Sequence, residues 1–414
     1  MDPNHHDSGH SKVLIIGAGC TGLALAHGLN QAAIPHVVYE RDHQDAPRKR
    51  DWNMGLHWAA PTLQSLIPGS LFSRIQTAQV DPHTPTKDLE QLRFINGKTG
   101  AILGLAETEK FYRFKRSKIR ALLTEGIQVQ WGKSISSITY SDDGMAVTAH
   151  FADGSQDTGS ILVGADGPHS ATRGILVGEE RARCTPIDYA ATMCFNKLPR
   201  DKARFLRSDP HHPLFQCAPN PVGTFAWLGL HDAPDPEDPE SWVFFHYISF
   251  YEPRDSISTK TPREHIQHQK ELAKEYADPF KSAFEWLADD NTTAWYGKMQ
   301  HWDPGDPDHG WDNRGGRATL AGDAAHPMTF QRGQGLNHAI TDASKLCAAI
   351  AGIWRHEGAM TIEAKANAMK SYEDEMIKRG GEEVRLGERN TQMLHDWDKV
   401  LQSPVLKKGL KQGV

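Results

Sequence analysis

The chain has 414 residues, too many for one small core, so two or three lobes are expected. Hydrophobic residues make up 38% and charged residues 24%, a balance that suits a globular protein and excludes a disordered one. A net charge of −6 lacks the basic excess that nucleic acid or an anionic membrane would attract, and no apolar run reaches the length of a membrane span.

The five cysteines (Cys20, Cys184, Cys194, Cys217 and Cys347) form no C-x-x-C pair. A disulfide framework or zinc site is therefore not expected, and a reducing compartment, read as the cytoplasm, is. The first residues, MDPNHHDSGHSK, carry no apolar segment of the kind a secretory signal needs and read as a polar tail. His5, His6 and His10 within it are read as solvated rather than as metal ligands.

The first informative stretch is Val13 to Glu40. Four apolar residues read as a buried strand, Gly17, Gly19 and Gly22 follow in the spacing G-x-G-x-x-G, and Leu23 to Asn30 reads as a helix. Gly17 would allow the tight turn, Gly19 the approach of a pyrophosphate, and Gly22 close helix–strand packing. Thr21 lies at the helix start, where free N–H groups and the helix dipole favour phosphate. Val37 to Tyr39 reads as a second strand. Glu40 at its end stands where a carboxylate would accept from an adenosine ribose hydroxyl, so the stretch predicts dinucleotide binding.

Arg41 follows and would meet the adenosine end. Arg48, Lys49 and Arg50 form a positive cluster that suits either phosphate contact or an exposed loop. In MGLHW, Gly55 would let the backbone approach a flat ligand, with His57 and Trp58 beside it, although core packing explains Trp58 equally well. Residues 60–78 show short helical patterns, and a hairpin is expected over Leu92 to Leu105 around Asn96-Gly97. In FYRFKRSKIRALL, Ile119, Leu122 and Leu123 recur at helical spacing, placing Arg116 near a helix start.

Strands follow from Ile127, with turns at Asp143-Gly144 and Asp153-Gly154. A buried strand, Ile161 to Val163, then delivers Gly164, Asp166, Gly167, Ser170 and Arg173 to the carboxyl end of a sheet. Residues 184–300 read as a different lobe of strands. In WVFFHYISF one face would carry Trp242, Phe244, His246, Ile248 and Phe250, and the other Val243, Phe245, Tyr247 and Ser249. One face would pack on the body and the other on a substrate cavity, where His246 or Tyr247 would orient or deprotonate a phenol. Arg263 to Asp289 reads as a helix kinked at Pro279. A strand over Ala318 to Ala321 then ends in Gly322-Asp323. Gly333, Gln334 and Gly335 precede a long helix from Leu336 to Trp354, whose start would favour negative charge on a reduced flavin ring. Thr361 to Arg379 reads as a last amphipathic helix, broken by Gly380-Gly381.

Three motifs in this order, GAGCTG, GADGPHSATR and GDAAHPMTFQRGQGLN, resemble the FAD-dependent monooxygenases of the para-hydroxybenzoate hydroxylase type (group A), with phrasing similar to fungal members of secondary metabolism. The resemblance implies an α/β fold: a Rossmann-like, glutathione-reductase-like FAD-binding domain, a β-sheet substrate lobe and C-terminal helices. The expected division is 12–183 with 301–358 for FAD, 184–300 for the substrate lobe, and 359–414 for the helices. It implies FAD held by Gly17, Gly19, Thr21, Gly22, Glu40 and Arg41 at the adenosine half. Arg116 and Asp323 would face the ribityl chain and ring, Asp166 would serve both FAD and NAD(P)H, and Gly333, Gln334, Gly335, Leu336 and Asn337 would contact the isoalloxazine. In one departure, Phe330 stands where the family usually has proline, while Pro327 and Arg332 are kept. No second G-x-G-x-x-G appears, so NADPH or NADH would dock transiently.

The implied activity is insertion of one oxygen atom from O2 into an aromatic or phenolic, polyketide-type small molecule, through a flavin C4a-hydroperoxide. His57, His246 and Tyr247 are the candidate bases. A flavin oxidase or reductase, an epoxidase or Baeyer–Villiger oxygenase, and a non-catalytic flavin-binding protein remain as alternatives on the same fold. No metal is expected.

Overall fold

The computed structural model describes residues 12–45, 51–208, 214–354 and 361–410. The tail histidines His5, His6 and His10 and the Arg48–Arg50 cluster lie outside the described residues.

A parallel five-stranded sheet forms the first layer. Its spatial order is Ala318–Leu320, Ile161–Gly164, Val13–Ile16, His36–Glu40, Val129–Trp131. The central strands Val13–Ile16 and Ile161–Gly164 are wholly buried, as parallel strands covered on both faces must be. The helices Cys20–Gln31 and Gly335–Trp354 pack together on one face. The second helix buries Leu336, Ile340, Ala343, Leu346, Cys347 and Ile350, a spacing that makes one continuous apolar stripe. A three-stranded antiparallel sheet, 135–159, closes the other face around Tyr39, Val147 and Leu162.

The second layer is a seven-stranded sheet. Its order is Trp295–His301, Thr185–Lys197, Val243–Tyr251, Thr224–Asp232, Phe215–Asn220, Leu89–Ile95, Ile102–Glu109. The hairpin 89–109 turns at Asn96–Ala101 as its Asn-Gly pair predicts, but it pairs with Phe215–Asn220. The seven-stranded sheet therefore draws on residues 89–109 as well as 184–301. The central strand Val243–Tyr251 is covered on both faces, as its aromatic alternation requires. Phe244 and Ile248 pack on the helices Pro262–Ala273 and Phe280–Glu285, while Phe245 and Tyr247 face Leu394, Val400 and Val405 near the C-terminus.

Two helical expectations are corrected. The segment around Pro279 is two helices, Pro262–Ala273 and Phe280–Glu285, rather than one kinked helix. Proline lacks the N–H and the room to continue an existing turn, and Pro279 here caps the second helix instead. The last helix runs unbroken over Ile362–Leu394, through Gly380-Gly381. These glycines are contact points: a Cβ at Gly380 would lie 2.7 Å from the His326 ring, and one at Gly387 2.9 Å from Thr329 Oγ1. The helix gives up propensity there to lie directly on the 326–329 loop. Among the described residues, no helix is long and apolar enough to cross a membrane.

Candidate active site

The three glycine motifs meet one another. Gly17, with φ of +113°, presses so close to the middle motif that a Cβ would lie 2.4 Å from Ala165 O. Gly322, with φ of +62°, would place a Cβ 2.4 Å from Thr21 Oγ1. The backbone stitches the same turns together: Gly17 N donates to Tyr39 O at 2.7 Å, Ala165 N to Ile16 O at 2.7 Å, and Ala321 N to Gly164 O at 2.9 Å. Positions far apart in sequence thus come together at the carboxyl ends of the parallel strands, the place of the ligand crevice in open α/β sheets.

Each expected site residue has a definite place. Gly19 stands at the N-cap of the helix Cys20–Gln31 with no side chain of its own to cap it, and a Cβ there would touch nothing nearer than 4.0 Å. Glu40 is buried; it accepts from Ala18 N at 3.1 Å and Asp42 N at 3.1 Å, and pairs with Arg120 at 3.2 Å. Arg41 is exposed, and its charge reaches His169 within the middle motif. Arg116 opens the helix Arg116–Thr124 with its guanidinium 4.9 Å above the Trp52 ring. Its charge also reaches Asp323.

Asp323 is open to water while protein surrounds it on its other sides. Desolvation by those walls pushes its carboxyl above the usual range, opposed by His326 and Arg116. The turn that carries Asp323 is pinned from below. Asp342 accepts from Gly322 N at 2.7 Å, His326 Nε2 at 2.6 Å and Arg379 Nη2 at 2.6 Å. Burial alone would raise the Asp342 carboxyl, but His326 and Arg379 hold it well below the usual carboxylate range.

Three expected contacts have their side chains engaged by the protein itself. Asp166 accepts from Ser170 Oγ, from Thr172 N at 3.0 Å and from Thr172 Oγ1 at 3.2 Å, holding Ser170, which caps the helix Ala171–Val177 by accepting from Arg173 N at 2.9 Å. Asn337 is wholly buried: its Oδ1 accepts from His57 N at 3.0 Å and Ala59 N at 3.3 Å, and its Nδ2 donates to Gly55 O at 3.1 Å. It therefore clamps the MGLHW segment to the long helix. Gln334 accepts from Trp58 Nε1 at 2.8 Å and donates to Leu410 O at 3.3 Å. Leu336 packs in the core. Gly333 and Gly335 border the crevice, and nothing lies within 4 Å of a Cβ at Gly333.

Of the three candidate bases, the structure brings two to the crevice side. His57 lies within 3.2 Å of Gly333 O and 3.0 Å of Asn337 Nδ2, stacked on Phe111. Burial pushes its pKa down to about 4, so it is neutral at physiological pH. Tyr247 accepts from Gln331 Nε2 at 3.3 Å, and its ring lies 5.4 Å from Phe330, the half-exposed residue at the family's proline position. Burial raises the Tyr247 phenol, which stays protonated and suits hydrogen bonding better than proton abstraction. His246 is corrected: it lies on the other face of the strand, buried edge-on against Phe284. Strand alternation puts the neighbours His246 and Tyr247 on opposite faces, so they cannot serve one cavity.

Sequence reading missed Arg120, and it placed Arg173 at the end of the sheet without giving it a role. Arg120 donates to Ala18 O at 2.7 Å and pairs with Glu40, bracing the first glycine turn. Arg173, buried, donates to Pro168 O at 2.7 Å, Ala182 O at 3.0 Å and Ala324 O at 2.9 Å, tying the middle motif to the late one. Both were visible only as letters in a helix or motif, because their acceptors are backbone carbonyls remote in sequence.

A flavin dinucleotide fits this arrangement. Gly19 and Gly333 leave backbone open to a ligand, a helix start with glycine at its N-cap suits phosphate, and the Asp323 carboxylate is exposed. Comparison with known proteins agrees. Residues 10–384 match the family model described as FAD binding domain. The FAD-dependent monooxygenase cctM of Talaromyces islandicus is 36% identical over 402 residues, spanning 97% of both chains. The FAD-dependent monooxygenase phnB of Penicillium herquei is 36% identical over 411 residues, spanning 97% of this chain and 95% of that one. The crystal structure of Klebsiella pneumoniae HpxO complexed with FAD and uric acid shares the fold, with a TM-score of 0.72 at 20% identity over 98% of this chain and 94% of that one.

The chain belongs to this FAD-binding family. It is a group A FAD-dependent monooxygenase similar to those of fungal secondary metabolism, and so acts on a small molecule and O2.

Proposed function

We propose that the protein is a single-component enzyme that takes electrons from NADPH or NADH and inserts one oxygen atom into an aromatic or phenolic, polyketide-type substrate. The carrying observation is the interlocking of three remote glycine turns around the water-open carboxylate of Asp323. Bound FAD supplies the redox chemistry that activates oxygen; the protein positions, shields and charges the site.

In this reading Gly17, Gly19, Thr21 and Gly22 receive the pyrophosphate, and Glu40 the ribose. Asp323 accepts from a ribityl hydroxyl, with Arg116 balancing its charge. The start of the helix Gly335–Trp354 favours negative charge at the ring's polar edge. Asp166 acts by holding its turn in shape, and Asn337 by fixing the MGLHW segment against the ring's side of the crevice. Neutral His57 and protonated Tyr247 orient the substrate by hydrogen bonding, and the aromatic sheet face excludes water. A cavity of about 310 Å³ lined by His169, Arg173, Glu179 and Arg183 opens on the middle motif, where the exposed Arg183 would meet a phosphate of the visiting nicotinamide nucleotide. No disulfide joins the five cysteines, which supports a cytoplasmic location.

The test is substrate-stimulated NAD(P)H oxidation by the purified holoenzyme with flat aromatic polyketides under heavy-isotope dioxygen. One labelled oxygen atom in the product is expected. Stimulated NAD(P)H consumption that yields only hydrogen peroxide, or product free of label, would make the protein an oxidase or reductase instead.

A further inference from the structure

Arg113 is a buried cation with no counter-charge. It is 3% exposed, yet among the described residues it forms no ion pair with a carboxylate. The neighbouring Lys115 and Lys118 take both oxygens of Asp232, at 2.6 Å and 2.7 Å. A buried guanidinium is ordinarily paired, because leaving water without a counter-charge is costly. Arg113 has two long hydrogen bonds instead, Nε to Leu230 O at 3.3 Å and Nη2 to Asn53 Oδ1 at 3.2 Å, and Nη1 has no acceptor among the described residues. Burial lowers its pKa to about 9.

Its surroundings are those of a recognition site. The guanidinium lies 4.7 Å from the Phe215 ring and 5.6 Å from the Trp227 ring, and Trp227 Nε1 is a buried donor with no partner. Asn53 braces the other side. Its Nδ2 donates to His231 O at 3.2 Å, which fixes the amide so that Oδ1 faces both Arg113 and His231 Nδ1, the latter at 3.2 Å. An amide oxygen only accepts, so His231 Nδ1 carries the proton and Nε2 is left as an acceptor beside Phe195, whose ring lies 4.0 Å away. The place is continuous with the crevice. Arg113 pairs in register with Gly55 on the strands Tyr112–Lys115 and Asn53–Leu56, and a Cβ at Gly55 would lie 4.0 Å from Gly333 O. The sheet face beyond is aromatic, running from Phe215 through Trp227 to Phe245 and Tyr247.

We infer that Arg113, braced by Asn53 and flanked by Trp227, is the specificity-determining residue of the substrate site, and that it selects flat aromatic substrates bearing an ionised oxygen. The inference rests on the monooxygenase reading above and adds the substrate's charge and the residue that reads it. Guanidinium and indole N–H groups would both donate to the anionic oxygen, while Phe215 and Phe245 cover the ring.

The test uses the FAD-loaded enzyme and three flat probes read by quenching of intrinsic fluorescence. These are 2-naphthoate, a nitronaphthol ionised at neutral pH, and neutral 2-methoxynaphthalene. At least one anion is expected to bind about tenfold or more tighter than the neutral probe. A carboxylate-only or phenolate-only preference identifies which anion the site takes. In Arg113→Gln that preference should vanish with bound flavin retained, and Arg113→Lys should restore part of it. Equal binding of all three probes by the unaltered enzyme would overturn the inference without recourse to any variant, as would an Arg113→Gln protein that keeps the preference. Flavin content is read separately by absorbance, so failure of the cofactor reading is told apart from failure of the Arg113 assignment.

Discussion

Asp323 keeps its carboxylate free because the groups around it are already engaged. Asp342 takes Gly322 N, and Arg173 takes Ala324 O, so the turn is rigid without any help from the Asp323 side chain. Replacing Asp323 should therefore leave folding nearly untouched while removing a charged acceptor from the cofactor. Hydrogen bonds to charged groups are worth about 1.5–3 kcal/mol, so Asp323→Ala should bind FAD roughly tenfold to a hundredfold more weakly. Asp323→Asn, which can still accept, should fall between. Flavin fluorescence titration of the apo-protein measures this, and unchanged affinity in Asp323→Ala would remove that carboxylate from the cofactor site. The same scale shows what a motif conceals. Asp166 and Asn337 sit where the motifs put them, yet their side chains serve the local turn and a segment 280 positions away in the chain. Short polar side chains compete for nearby backbone N–H groups, and a linear pattern does not say which acceptor wins.

The long helix Ile362–Leu394 carries the opposite lesson. Read as sequence, Gly380-Gly381 marks an end, since glycine weakens a helix by about 1 kcal/mol against alanine. Tertiary packing overrides that here, because the helix must touch the His326 loop. The consequence is measurable. Gly380→Ala improves propensity but drives a Cβ to 2.7 Å from an imidazole that is wholly buried and bonded to Asp342. It should lower the melting temperature and loosen FAD, because His326 and Gly322 share Asp342. Gly352→Ala is the control: it lies near the end of the helix Gly335–Trp354, exposed, with nothing within 4 Å of its Cβ, and should stabilise by up to about 1 kcal/mol. Thermal melts of the two variants with flavin loss followed in parallel test the pair, and a stable, fully loaded Gly380→Ala protein would show that the contact is slack. Elements with strong periodicity, such as the strand Val243–Tyr251 and the helix Gly335–Trp354, were legible because one stripe or alternation fixes them. The strand Trp295–His301 and the membership of the hairpin 89–109 were not, since sheet partnership is set by pairing across distance.

Across the molecule, burial has left several histidines neutral. His57, His246 and His395 are pushed down to about 4 and His231 to about 3, burial being the first cause in each. In the unfolded chain each would titrate near 6.5. Between those values the unfolded state binds more protons than the folded one, so stability falls as pH drops from about 6.5 towards about 4. Asp342, held low, acts in the same direction but over a separate window: its contribution is present above the ordinary carboxylate pKa and is lost only as pH falls below about 4. A decline between pH 6.5 and 5 therefore reports the histidines. His246 offers a clean probe, because it sits among Phe244, Phe280 and Phe284 on the face turned away from the crevice. In His246→Leu the packing change is the same at every pH, so the pH-dependent part of the difference isolates one proton. Relative to the unaltered protein, the variant should gain about 2 kcal/mol on going from pH 7.5 to pH 5, seen as a shift in urea midpoints at matched ionic strength. Its oxygenation rate should be unchanged. A loss of turnover with stability intact would return His246 to the list of bases and would require the lobe's sheet to expose its other face to substrate.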